Sequence, residues 1–172
     1  MSVTLPVSVD VWRMISARRS FEGKLPIARM KRLAAALASA EGEVEYALDF
    51  GTDDFGVAYI ALRALAPLTL ICQRNLEPFV FPLQVDTRLG VIRSEREEAA
   101  LLEGYEPLLV DEDGRLSPAD VIEDELLLGL PLVPVNPESE LPEEVMVSEA
   151  ADEVAAEPED NPFAILRGLK KH

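Results

Sequence analysis

The segment Glu43–Phe50 alternates between polar and apolar positions and places Val44, Tyr46, Leu48 and Phe50 on one face. This is the period-two signature of a half-buried strand. Two longer strand-like runs follow, Val57–Cys72 and Phe79–Ile92. Thr52-Asp53-Asp54, flanked by Gly51 and Gly56, supplies the turn before the first, and Gln73–Pro78 the turn between them. Pro67 predicts a bend or interruption in its strand, and Pro82 an edge position or a bulge. Upstream, Ile27, Met30, Leu33, Ala34 and Leu37 recur at helical spacing. They predict a helix over Ile27–Ala38 that Pro26 opens and Glu41-Gly42 closes. A shorter helix, Val11–Arg18, is capped by Asp10 and turns Val11 and Ile15 inward, with Trp12 a further candidate. Ser20–Pro26 between the two helices reads as a strand or extended arm.

Beyond Ile92, residues 93–105 are charged and helix-prone, Tyr105–Val110 is a short strand, and Asp111–Gly114 is a turn. Ser117 as N-cap and Pro118 as first helical residue open a helix that runs to about Leu130. Its first half is acidic and its second half contains Leu126-Leu127-Leu128, so burial is expected only in the second half. Long strands in sequence favour an antiparallel meander. The expected fold is α+β: a curled antiparallel sheet, open or barrel-like, with the N-terminal helices and the 117–130 helix closing its ends or one face. Residues 1–136 form one domain on this reading, with a helical head over 1–42 and a mainly β region over 43–110. A division into two lobes near residue 42 is the alternative.

Charge changes the picture more than composition does. Residues 1–38 carry seven Lys/Arg against two Asp/Glu, whereas residues 93–172 carry six against twenty-two, within a net charge of −16. A basic head thus precedes an acidic rear. Such a surface repels phosphate broadly but leaves room for a local RNA contact through the head. Arg18, Arg19, Arg29, Lys31 and Arg32 are the candidate contacts. From 137 to 160 there are ten acidic residues and no basic one, the composition of a disordered, self-repelling linker. Residues 161–172 switch back. Asn161 and Pro162 suit an N-cap and first helical position, Phe163, Ile165, Leu166 and Leu169 are apolar, and Arg167, Lys170 and Lys171 suit a helix C-terminus. So short a helix needs a surface to pack on. A groove on a partner is the preferred expectation, and the body of the same chain is the other.

Catalytic chemistry finds little support. The single histidine is His172, so a nucleophile with a histidine base is not expected, and no phosphate-binding glycine loop occurs. A hydrolase using paired carboxylates is the weakest of the functional classes. Glu123-Asp124-Glu125 could hold a metal or a partner, but acidic residues early in a helix ordinarily complement its dipole. The longest uncharged apolar stretch, Ala64–Cys72, is about half of what a membrane helix needs, and the N-terminus has no secretory pattern. A soluble, cytoplasmic protein is expected, with no membrane partner and no small-molecule substrate. Cys72 is the only cysteine and reads as a buried, structural thiol.

Several segments together resemble one family. Cys72-Gln73-Arg74 followed by Glu77-Pro78-Phe79 is similar to the C-x-R-C-x-x-P-F signature of the bacterial YceD family, the large ribosomal RNA subunit accumulation proteins. Tyr105-Glu106-Pro107, the stretch Ile122–Val135, and the ending Asn161–Leu166 through Lys170 resemble that family's later segments. Arg74, within the first of these motifs, is a further RNA- or partner-binding candidate. It implies a non-enzymatic role in the synthesis, processing or stability of 23S ribosomal RNA, with ribosomal RNA, a pre-ribosomal particle or an assembly protein as partner. An acidic chaperone or adaptor for a basic ribosomal protein is the competing class. In relatives a second cysteine stands at the position of Asn75, and some carry further cysteines around Val135–Glu138. One thiolate cannot hold a structural zinc, so no metal or other cofactor is expected here, and local bonds from Asn75 must hold the turn.

Overall fold

The structure, a computed structural model, describes residues 5–140. The chain is α+β, as its patterning predicts. The main sheet has five strands in the order β2-β3-β4-β5-β6: β2 Ser20–Pro26, β3 Glu43–Thr52, β4 Ala58–Ile71, β5 Pro78–Ile92 and β6 Glu106–Leu109. The first four pair antiparallel, but β6 joins β5 in parallel, Leu89 opposite Glu106 through Ile92 opposite Leu109. The sheet does not close into a barrel, and β2 and β6 remain its two edges. A separate pair, β1 (Val9–Asp10) with β7 (Arg115–Leu116), ties the start of the chain to its last third.

β4 is continuous across Pro67, which stands opposite Pro82 of β5. A proline is tolerated in a strand where its missing N–H leaves no ladder bond unmade. Both sit where the sheet has thinned. β3 pairs with β4 only as far as Leu65, and β6 reaches β5 only from Leu89. The paired β4–β5 hairpin therefore projects beyond its neighbours, and Pro82 is the edge proline its sequence suggests.

Helices cover one face of the sheet. Even-numbered residues of β3 and β4, such as Val44, Leu48, Ile60, Leu62 and Leu68, are buried against Val11, Ile15, Ile27, Leu33, Ile122 and Leu126. Helix α1 spans Val11–Ser16 and is capped as expected, the Asp10 carboxylate accepting from Arg13 N at 3.0 Å. The second predicted helix is broken. A 3-10 turn over Ile27–Arg29 precedes α2, Lys31–Ala36, and Met30 between them has φ −92° and ψ 86°. The 93–105 segment likewise forms only a 3-10 stretch, Glu95–Ala100. Helix α3, Pro118–Leu128, starts on Ser117 and Pro118. Its burial differs from expectation: Pro118, Val121, Ile122, Glu123 and Leu126 are buried, while Leu128 is exposed. The apolar run was a poorer guide than the spacing 118, 121, 122, 126 along one face. No helix among the described residues is long and apolar enough to cross a membrane.

Candidate functional site

The basic candidates of the head fall into two separate groups. Arg18 and Arg19 close α1. Arg18 N donates to Ile15 O at 3.0 Å and Arg19 N to Met14 O at 3.1 Å, the paired bonds of a Schellman cap. The residue past the end of such a cap is left-handed and is usually glycine. Here it is Arg18, with φ 46°. Both arginines are exposed at a helix C-terminus, where the dipole favours positive charge. Arg13, not among the sequence candidates, lies one helix turn back and shares with Arg19 the lining of a cleft of about 560 Å³. Its place in the last turn of the short helix that Arg18 and Arg19 follow was the available signal.

Arg29, Lys31 and Arg32 lie beyond the other end of β2, whose seven residues put the two groups roughly 20 Å apart. Arg32 differs from its neighbours. Its guanidinium bonds the Glu123 carboxylate at 3.1 and 3.2 Å and also pairs with Asp124. Glu123 is buried and simultaneously accepts the Arg32 and Leu33 backbone N–H groups at 2.7 and 3.0 Å. It thereby satisfies the first N–H groups of α2, which has no cap of its own. Burial works against the ionised form of Glu123. The Leu33 and Arg32 amides and the Arg32 guanidinium outweigh it and hold the carboxyl below its ordinary value. Of the acidic triplet, Glu123 thus serves the start of a different helix from its own, and Asp124 adds a second partner for Arg32. Arg29 and Lys31 are exposed and make no ion pair among the described residues.

Arg74 stands apart from both groups, at the tip of the β4–β5 hairpin. Its guanidinium donates to Ser139 O at 2.7 Å. Cys72, fully buried, is the centre of this tip. The Arg74 and Asn136 amides each donate to its sulfur at 3.4 Å, and the thiol reaches Ser139 Oγ at 3.4 Å. Gln73 N donates to Pro134 O at 2.8 Å. Residues 72, 75, 136 and 139 therefore form two facing turns of equal spacing, joined by hydrogen bonds. Burial opposes thiolate formation, but bonds from Ser139 and the Asn136, Asn75 and Arg74 amides lower the Cys72 pKa to about 7. To favour the thiolate, the Ser139 hydroxyl must turn away from Asn136 O, to which it donates at 2.7 Å. Asn75 braces the tip as anticipated, its side-chain amide donating to Glu77 at 2.8 Å and its oxygen accepting Glu77 N at 3.3 Å. Among the described residues no three His, Cys, Asp or Glu side chains come together as metal ligands. Residues 137–140 fall in the segment expected to be linker, yet Ser139 is buried at this tip. The rest of that segment, and the candidates Asn161, Pro162, Phe163, Ile165, Leu166 and Leu169, lie outside the described residues.

The arrangement offers point contacts for phosphate at two ends of β2, not a continuous basic groove. The family model described as Large ribosomal RNA subunit accumulation protein YceD matches residues 60–170. A Haemophilus influenzae protein named Large ribosomal RNA subunit accumulation protein YceD is 28% identical over 172 residues, covering 98% of each chain. No solved structure matches the chain.

Proposed function

We propose that this chain, which belongs to the YceD family, is a ribosome-biogenesis factor that supports 23S ribosomal RNA by binding and not by catalysis. The family's descriptive name, large ribosomal RNA subunit accumulation protein, supplies the process. The observation that carries binding is the α1 end, where Arg13 and Arg19 line one cleft and exposed Arg18 adjoins Arg19, in a protein of net charge −16. Exposed guanidinium groups gathered at one end give a polyanion a local place to dock on an otherwise repulsive surface. The acidic remainder limits indiscriminate RNA coating, so contact is local. With His172 as the sole histidine, a nucleophile activated by a histidine base is not expected.

Binding of 23S precursor RNA or of pre-ribosomal particles, titrated with salt, tests this reading. Arg18→Glu with Arg19→Glu should weaken binding and flatten the log–log salt slope by about 0.7–0.9 per lost phosphate contact. An unchanged slope rejects RNA contact through this end. Salt-sensitive recovery of a basic ribosomal protein free of RNA would favour the acidic-chaperone reading instead.

A further inference from the structure

The sheet face opposite the helices is uncovered among the described residues. Leu65 and Pro67 of β4 and Pro82 and Gln84 of β5 point outward there, and Leu65 is 50% exposed. With neighbouring β2 and β3 side chains they line two adjoining clefts of about 400 and 470 Å³. The floor is apolar and the rim is acidic. Lys24 is paired with Glu45, and Arg63 with Asp49 at 3.5 Å. Glu22, Glu43 and Asp86 have no ion pair among the described residues. A surface of this kind suits an apolar segment that carries positive charge.

The chain itself contains such a segment. Residues 161–172 include Phe163, Ile165, Leu166 and Leu169, with Arg167, Lys170 and Lys171 and no acidic residue. Reach also fits. The described chain ends at Glu140, beside Ser139, which is anchored on Cys72 at the end of β4. Seven strand residues separate Cys72 from Leu65, about 23 Å. Residues 141–160, read from their sequence as coil, have a root-mean-square span of about 25 Å.

We propose that residues 161–172 dock on the outward sheet face of their own chain, apolar residues over Leu65, Pro67 and Pro82, basic residues against Glu22, Glu43 and Asp86. Sequence alone prefers a partner for this segment; the charged groove within reach of its tether favours the chain's own body. The docking is independent of whether the head binds RNA.

Hydrogen exchange on the full-length protein tests it. A tether of this length gives a millimolar effective concentration, so an intrinsic dissociation constant of ~0.1 mM slows exchange of the 163–170 amides about tenfold. Glu43→Lys with Asp86→Lys should abolish that protection, as should Lys170→Glu with Lys171→Glu. Combining all four changes should restore it, because the charges are exchanged across the same contact. These side chains lie on the surface or in the tail, and the far-UV spectrum of each variant verifies its fold. Unprotected tail amides in the wild-type chain overturn the proposal. So does protection that survives the groove variants, and so does protection that fades on dilution, which would place the segment on a second copy.

Discussion

At the scale of single residues, two side chains hold positions that ordinary stability would not select. Arg18 is left-handed at the end of α1, a conformation costing a non-glycine residue roughly 1–2 kcal/mol. Arg18→Gly should therefore stabilise the fold by about 1 kcal/mol, raising the melting temperature by a few degrees, while weakening RNA binding. Calorimetry beside a binding titration checks both; a variant that gains stability and loses no affinity removes Arg18 from the interface. Cys72 is the second case. A thiol normally titrating near 9 is held at about 7, so the thiolate is favoured in the folded chain. A lowered folded pKa adds stability that is absent below about 7 and complete above 9. The stability of the protein relative to Cys72→Ala should thus grow as pH rises from 7 to 9. Ultraviolet absorbance of the thiolate, followed with denaturant unfolding, measures it. A flat difference across that window would show that burial, which opposes the thiolate, prevails.

At the scale of elements, the decisive contact joins α3 to α2. Glu123 supplies from a distance of ninety residues the cap that Met30 cannot give. The continuous helix read over Ile27–Ala38 therefore fails at Met30. A second start at Lys31 presents its N–H groups to a buried carboxylate. Glu123→Ala should cost about 2 kcal/mol, from a lost cap and lost charged hydrogen bonds. The sign with pH follows from the lowered Glu123 pKa. Its contribution is present above the ordinary 4.5 and is lost as pH falls through the lower folded value. Acid unfolding curves of the wild type and Glu123→Gln should converge at low pH. Arg32→Ala should accordingly lower stability and leave the salt slope of RNA binding unchanged, because its guanidinium is already occupied. A reduced slope for Arg32→Ala would return it to the interface.

For the whole molecule, a net charge of −16 on 172 residues predicts self-repulsion that salt relieves. The melting temperature should rise between about 0.02 and 0.2 M salt as the screening length falls below roughly 10 Å; a falling one would mean that ion pairs such as Arg32–Glu123 dominate. Local rules were enough for much of the fold. The alternation in Glu43–Phe50, the Asp10 and Ser117 caps, and the long hairpin around Gln73–Pro78 are each fixed by neighbours a few residues away, and the structure keeps them. The basic head and acidic rear, and the motifs of the YceD family, are likewise written along the chain. What needed the tertiary structure was every pairing between distant segments. The parallel seating of β6 on β5 left the sheet open where a closed one was conceivable. The facing turns at Cys72 and Ser139, and the division of the head's cations into two groups, depend on which segments meet. Arg29, Lys31 and Arg32 look alike in sequence; only Arg32 is drawn into a buried carboxylate, because folding brings α3 against the start of α2. Hydrophobic period and turn chemistry are local quantities and can be read in order, whereas a charge's availability depends on what the fold places beside it.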